Sequence, residues 1–567
     1  MFFTLGVSAA SAERCAELTS RALAADPSVM PVPGPAAVAW RSPDGRAAIL
    51  HWGVGAERAG DGAAASHAGT IWAGPAGPRG VPLCARTSVT RVDPVYLAEV
   101  PGAAVVADRA AWAAWTASRL DDHDPLHVCA LLSPGFPLGA VTPFTGVAAV
   151  GPATALQLLD GTVKRDTGAS GLARRPGGAG HQGTTGHQGT TGLQGGAREV
   201  AEALVAAVAP LRDAGGPVEL SLTGGKDSRL IAAALVRAGV PVVARTHGFD
   251  DHPDVVVAAE IARRLGIEHV VRTPATPGQR VDVLGWIRAT VLVADGMLSA
   301  FENVGRPVSA STGSASTGPA ASPALTAGGH GGELLRGGYA ETAAGRASAR
   351  GGLRGAVAPA RRAARSAELL RRLTTTHLGL VRRGPASSYV ASLAPWTPRL
   401  ARNPLQALDD FYLVNRAGRW SAAARQAYLL RERLVQPLFD DRVVLAARAV
   451  PLGERVSGAL SAAVLAELSP TLADVPLAGK PPADPGRAPF DWRRQYGAGV
   501  AAFLRGYILD LGTVGGLFDV VSQPAAEKLL APPHADRATV WALATAACLL
   551  SGDYRRARET AAQLAVT

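Results

Sequence analysis

A glycine-rich segment with hydroxyl and acidic side chains, residues 221–229, is the part of this chain that most clearly predicts chemistry. Its sequence, SLTGGKDSR, follows a short apolar run and opens an Ala-rich run that ends at Val240. A strand, a Gly-rich turn and a helix in this order offer an anion unpaired N–H groups and the positive end of a helix dipole. We therefore predict a phosphate site; the alternative is an ordinary helix capped by Asp227 and Ser228.

A second glycine-rich segment, residues 327–339, surrounds one histidine and one glutamate. Its sequence is AGGHGGELLRGGY, with His330 and Glu333 three residues apart. Glycines on both sides let the backbone and these two side chains come close to a ligand. We expect this segment to be a second part of the same site.

Lysine is rare in this chain. Of 57 basic side chains only four are lysines, and Lys226 lies inside the first glycine-rich segment. Lys480 lies in the turn-rich sequence LAGKPP, which could move over a site. In a chain so rich in arginine, a lysine can mark a place where a compact ammonium is needed, although a solvated side chain is the alternative for both.

Short strands and helices alternate around the first segment. Residues 218–220, 241–244 and 269–271 read as buried strands, with helices over 230–240 and 254–265 between them. This order predicts a parallel sheet with right-handed crossovers, and ligands bind such sheets at the carboxyl ends of the strands. The loop 246–250, with His247 and Gly248, falls at that edge and is expected to border a nucleoside.

Composition limits the class of protein. The four cysteines lie far apart, at positions 15, 84, 129 and 548, and predict neither a zinc site nor a disulfide framework. The start of the chain is not a secretory signal, and the apolar run 538–550 is shorter than a bilayer, so we expect a soluble, cytoplasmic protein without membrane contact. The net charge of +11 comes from scattered arginines, which argues against nucleic acid and leaves an anionic ligand or acidic peptide as possible partners.

A low-complexity stretch divides the chain into two predicted domains. Residues 177–196 contain GHQGTT twice, and they lie in a predicted Gly-rich linker, 166–196. We expect a sheet-rich domain over 1–165 and a second domain over 197–567, mainly helical beyond about residue 350. A Ser/Thr-rich stretch, 309–322, is expected to form a mobile loop beside the site.

The two glycine-rich segments together resemble the asparagine synthetase-like family. SLTGGKDSR is similar to the pyrophosphate loop of ATP pyrophosphatases, and residues 327–339 are similar, without a gap, to the SGEGSDEVFGGY segment of asparagine synthetases. Residues 437–443, 143–147 and 151–154 resemble further family segments, the last two at the end of a glutaminase domain. The resemblance implies an α/β fold: a glutaminase-like (Ntn-type) N-terminal domain, then a parallel-sheet ATP-pyrophosphatase domain with a helical C-terminal part.

The chain departs from that family at three positions. A family glutaminase needs a cysteine directly after the initiator methionine, whereas this chain has Phe2, and Cys15 is too far along. His330 stands where asparagine synthetases have Glu and β-lactam synthetases have Tyr, and a neutral imidazole suits deprotonation of an amine. Glu333 replaces a metal-binding Asp and is still a hard oxygen ligand.

This combination, with the sequence DGMLSAFEN at residues 295–303, is most similar to the lasso peptide macrolactam synthetases. The resemblance implies ATP and Mg²⁺ as cofactors, and a ribosomal precursor peptide as substrate, with a leader protease and a leader-recognition protein as partners. An Asp or Glu side chain would be adenylated and then attacked by the peptide's own N-terminal amine.

The resemblance also implies roles for individual residues. His330, Lys226 and Lys480 would be catalytic, and Asp227 and Glu333 would hold Mg²⁺. The nucleotide and its pyrophosphate would be bound by Ser221, Thr223, Gly224, Gly225, Asp227, Ser228, His247, Gly248 and Gly329. Two alternatives stay open: a β-lactam synthetase-like enzyme that closes a ring on a small metabolite, and a non-catalytic scaffold that binds peptide.

Overall fold

The computed structural model describes residues 2–25, 36–53, 70–78, 80–167, 192–272, 280–305, 325–348, 358–430, 433–479, 492–531, 536–557 and 564–565. Lys480, the loop 309–322 and most of the GHQGTT stretch lie outside these ranges, so their predictions remain predictions. Among the described residues, every helix is too short or too polar to cross a membrane.

The described strands are β1 Phe2–Ala9, β2 Ala36–Arg41, β3 Ala47–Gly53, β4 Ile71–Ala73, β5 Leu83–Arg86, β6 Tyr96–Val100, β7 Ala103–Ala107, β8 Val147–Ala149, β9 Ala155–Leu159, β10 Thr162–Asp166, β11 Val218–Ser221, β12 Val242–His247, β13 Glu268–Arg272, β14 Arg280–Val281, β15 Leu325–Ala327, β16 Arg433–Val435 and β17 Leu564–Ala565.

The described α-helices are α1 Ala12–Leu23, α2 Ala110–Thr116, α3 Pro125–Leu132, α4 Leu193–Val208, α5 Lys226–Arg237, α6 Pro253–Leu265, α7 Val283–Val293, α8 Tyr339–Ser348, α9 Ala358–Thr375, α10 Arg383–Ser392, α11 Thr397–Arg402, α12 Pro404–Phe411, α13 Ala422–Leu429, α14 Asp441–Ala449, α15 Leu452–Val456, α16 Ala459–Leu468, α17 Trp492–Gln495, α18 Ala498–Val514, α19 Leu517–Val520, α20 Gln523–Leu529 and α21 Arg537–Leu550.

The N-terminal strands form two antiparallel sheets that pack on each other. The first has the order β2-β3-β1-β7-β6-β8 and the second β10-β9-β5-β4. Alternate residues of β7 explain the layering, because Val105 faces the helices while Val106 joins the core between the sheets. At Gly6 the sheets come so close that a Cβ would lie 2.6 Å from a methyl carbon of Leu83.

Three helices in this region were not anticipated, since we expected a domain dominated by strands. Helix α1 begins after Ser11, whose hydroxyl accepts from the Arg14 N–H at 3.2 Å, and buries Cys15 and Leu18 against the sheet. Helix α2 is buried on almost every side. A helix that is apolar all round shows no amphipathic period, so its sequence carries no helical signal.

The C-terminal strands form a five-stranded parallel sheet of order β13-β12-β11-β15-β16. The predicted alternation from β11 to β13 is confirmed, including the helix stop at Gly266, which adopts φ 66°. One detail is corrected: β12 continues to His247, so Thr246 and His247 belong to the strand rather than to the loop after it. The fold is thus mixed α/β, with N-terminal antiparallel sheets and a C-terminal parallel sheet with helices.

Buried polar contacts join the N-terminal sheets to the segment 295–297. Arg109 donates to Asp295 and to the Leu292 and Val293 carbonyls at 3.0 and 3.1 Å, and this ion pair is almost fully buried. His127 contacts the Gly296 carbonyl at 3.0 Å. Asp295 also has a positive φ of 51°, a conformation that surrounding contacts must hold in place.

Candidate active site

The phosphate loop lies between the end of β11 and the start of α5, at the carboxyl edge of the parallel sheet. Gly225 is the N-cap of α5 and has no side chain to cap the helix, so the first turn keeps its N–H groups for an anion. Ser228 closes the turn from within, since the Thr223 N–H donates to its hydroxyl at 3.1 Å. The loop is anchored to α6 by the Gly224 N–H, which donates to Asp254 at 2.9 Å. This is the geometry of an anion cradle.

The second glycine-rich segment packs directly on this loop. A Cβ at Gly329 would lie 2.8 Å from the Ser228 nitrogen, and one at Gly332 would lie 2.0 Å from the carboxyl carbon of Asp227. Gly331 has φ 102°, which favours glycine. The structure therefore brings the two motifs into one site, and only residues without a side chain allow that approach.

Asp227 and Glu333 form a pair of carboxylates at this contact. Burial raises the pKa of Asp227, against the opposing effect of Arg336, while Glu333 and Glu341 raise it further. Mg²⁺ in nucleotide sites takes one or two protein carboxylates and completes its shell with phosphate oxygens and water. The pair fits that pattern, although the described residues contain no cluster of three or more metal-ligating side chains.

Arg336 is a site residue that was not predicted from the sequence. Its guanidinium is buried, pairs with Asp227 and donates to Glu341 at 3.1 Å. It lies at the end of a 3₁₀ helix, Gly332–Arg336, which begins beside Asp227. An arginine three residues after Glu333 was a visible signal, but nothing in the sequence indicated that it would reach back across the loop.

His330 lies at the surface of the glycine turn, exposed to solvent on one side. Desolvation by the surrounding protein lowers the pKa of the His330 imidazole, and Arg416 lowers it further. The Glu333 and Asp227 carboxylates act in the opposite direction and raise it. The imidazole is therefore neutral near neutral pH, the form that can accept a proton. Whether it does so depends on what the neighbouring cavities bind.

Two cavities adjoin this turn. One, of about 410 Å³, is lined by Glu333 and by residues of both halves of the chain, among them Phe136, Tyr339, Tyr412 and Arg416. The other, of about 90 Å³, is lined by His330. Glu333 thus lines the larger cavity and His330 the smaller one.

A ten-residue π-helix, Tyr412–Ser421, contributes side chains to both cavities. The Arg416 guanidinium lies 3.5 Å from the centroid of the Trp420 ring, and Asn415 accepts from the Gly139 N–H at 2.9 Å. Such helices are rare and often occur at functional sites. This π-helix could not be predicted from the sequence, because a π-helix shares the composition of an α-helix.

The remaining predicted site residues lie at the ends of strands and helices near the loop, and most of them are exposed. Ser221 ends β11 and is exposed, Lys226 is exposed at the first position of α5, and His247 is exposed at the end of β12. Gly248 follows His247, and its N–H donates to the Arg272 carbonyl at 3.1 Å.

The segment before Lys480 also contacts the loop. The Ala478 N–H donates to the Gly224 carbonyl at 3.1 Å, and Arg229 links the Gly224 and Val475 carbonyls at 2.9 and 2.8 Å. The described chain reaches Gly479. The segment just before Lys480 therefore contacts the glycine-rich loop, and the role of Lys480 itself stays a prediction.

Comparison with known families agrees with this geometry. Residues 199–306 match the asparagine synthase family, a range that includes the phosphate loop and the first three strands of the parallel sheet. No curated protein matches the chain as a relative. The match supports an asparagine synthetase-like domain in this part of the chain, and that family forms amide bonds with ATP.

Proposed function

We propose that this protein is a lasso peptide macrolactam synthetase, which adenylates an Asp or Glu side chain of a ribosomal precursor peptide for attack by the peptide's N-terminal amine. The observation that carries the proposal is the cavity of about 410 Å³ beside Glu333, which is lined by residues of both halves of the chain, among them four aromatic side chains. If ammonia were the nucleophile that attacks the adenylate, the site would need no cavity of this size. A peptide needs a cavity whose walls offer both apolar and polar groups, as this one does.

In this proposal the residues of the site have separate roles. The N-terminal turn of α5 binds the phosphates, and Mg²⁺, held by Asp227 and Glu333, would offset their charge. Lys226 and Lys480 stabilise charge on the phosphates, and His330 removes a proton from the amine. Holding the tail and the acidic side chain together supplies much of the acceleration, since an ordered intramolecular attack gains greatly from proximity. A leader protease and a recognition protein remain proposed partners, and the cytoplasm the proposed location.

The state of the cysteines supports an amine, rather than glutamine, as the nitrogen source. All four cysteines of the sequence are buried. Burial raises the pKa of Cys15 and Cys84, and that of Cys129 and Cys548 to about 12. A buried thiol with a raised pKa is a poor nucleophile.

We therefore expect glutamine and free ammonia neither to stimulate the reaction nor to enter the product. Cys15→Ala should keep full activity, because the thiol only packs between α1 and the sheet. The measurement is glutamate release from labelled glutamine, with product mass in parallel. Glutamate formed by the pure protein would contradict this expectation.

The proposal is tested by incubating the pure protein with ATP, Mg²⁺ and candidate precursor peptides, with and without a candidate leader protease and leader-recognition protein. We expect AMP and pyrophosphate, and a product that has lost one water. A ring formed only on small amino-acid substrates would favour the β-lactam synthetase-like alternative. No AMP with any combination would favour a non-catalytic scaffold.

A further inference from the structure

The small cavity beside His330 has polar groups in its walls that can accept hydrogen bonds, and the described residues that line it include no arginine or lysine. Its volume is about 90 Å³. Glu302 follows α7, Gln436 follows β16, and His330 comes from the glycine turn, so these three polar side chains come from three separate segments. Convergence of side chains from distant parts of the sequence on one small space is typical of a binding site.

Gln436 supplies the first sign of a missing ligand. Its side-chain oxygen is buried and has no hydrogen-bond partner among the described residues. Buried acceptors without a partner are uncommon in folded proteins and are costly to maintain. Gln436 also lines the cavity, so a donor bound there that approaches this oxygen would satisfy it.

Glu302 supplies the second sign. One of its oxygens accepts from the Trp420 indole N–H at 3.1 Å, which fixes the carboxylate at the cavity wall. Within the described part of the chain no arginine or lysine pairs with Glu302, whereas Asp227 has Arg336. The guanidinium of Arg416, on the π-helix, lies 3.5 Å from the centroid of the same indole ring, and Arg416 lines the large cavity instead.

A cavity with a carboxylate, an amide oxygen and a neutral imidazole selects for a small cation that donates hydrogen bonds. We propose that it binds the primary amine of the acyl acceptor in its ammonium form, with Glu302 and Gln436 as acceptors and His330 as the group that takes its proton. This inference rests on the proposed function, because it locates the nucleophile of that reaction.

The groups already named account for every proton and electron pair in amide formation. The ammonium gives one proton to His330, and the freed lone pair of its nitrogen forms a bond to the acyl carbon of the adenylate. The bond from that carbon to the phosphate oxygen breaks, and AMP leaves with the electron pair. The nitrogen loses its second proton to solvent as the amide forms, and no oxidant or reductant is needed.

Binding can be tested without any peptide by using glycinamide, which carries the free α-amine of a peptide N-terminus, and N-acetylglycinamide, which lacks it. We expect saturable binding of glycinamide to the intact chain by ligand-observed NMR, and no binding of the acetylated probe. Glu302→Gln should weaken binding at least about tenfold, the usual worth of a charge-assisted hydrogen bond, while its amide can still accept from Trp420. Gln436→Leu should weaken it several-fold without lowering the melting temperature.

The matched control is Glu527→Gln, on the exposed face of α20, which should bind glycinamide like the unaltered protein. Equal binding by Glu302→Gln and the unaltered chain would overturn the inference, as would equal binding of the two probes or no saturable binding at all. Failure of macrocycle formation would overturn the proposed function and leave glycinamide binding as a separate result. The two failures are therefore distinguishable.

Discussion

Asp227→Ala should lower AMP formation by at least about a thousandfold, since charge stabilisation at a metal-held phosphate is worth several kcal/mol. Asp227 lies at the start of α5, where the phosphates are expected, and Gly332 packs on its carboxyl group. Glu333 alone would be left to hold the cation. Asp227→Asn should be nearly as inactive, because an amide keeps the shape and loses the charge.

The fold should survive this change. Arg336 loses one partner but keeps Glu341, so its charge is not left unpaired. The melting temperature checks the fold, and ATP–pyrophosphate exchange together with AMP release checks the chemistry. Asp474→Ala is the matched control, because Asp474 is exposed and only forms a surface pair with Arg264. AMP release from Asp227→Ala at the rate of the unaltered chain would show that the phosphate loop has been misassigned.

His330→Ala should separate the two half-reactions. Adenylation needs only ATP, Mg²⁺ and a carboxylate, so AMP should still form. Ring closure should fall by roughly two to four orders of magnitude, the usual worth of a general base. The unused adenylate would react with water, and AMP would accumulate without macrocycle.

One time course that measures AMP and macrocycle together decides the role of His330. If the imidazole only packs against or hydrogen-bonds the nucleotide, both products should decline in step, and the base assignment would be wrong. His377→Ala is a suitable control, because His377 pairs with Asp536 at 3.2 Å and lines neither cavity. It should leave both products unchanged.

Local signals in the sequence were sufficient to predict the strands and helices around the glycine-rich loop of the C-terminal domain. The alternation of apolar runs and turn residues predicted β11, α5, β12, α6 and β13, because glycines and polar residues separate these apolar runs along the chain. The phosphate loop was predicted for the same reason, since its function depends on a backbone shape that glycines and helix-starting residues specify locally. The sequence missed β15 and β16, which are three residues each and show no period of their own.

The remainder of the site was decided by long-range packing. Arg336 reaches Asp227 across 109 positions of the sequence, and Asn415 accepts from Gly139 across 276. Neither pairing has a local signature, since a charged or amide side chain looks the same whether it is solvated or buried. The small cavity depends in the same way on Glu302, His330 and Gln436 arriving from three segments.

The sequence by itself therefore determined the glycine-rich loop that we predict to bind phosphate, the alternation of strands and helices from β11 to β13, and the residue types available for acid–base chemistry. Only the tertiary structure decided that Gly329 and Gly332 rest on that loop, that Arg336 neutralises Asp227, and that Glu333 and His330 face different cavities. The physical reason is that backbone conformation is specified by neighbouring residues. The environment of a side chain is instead specified by whichever distant segments pack against it.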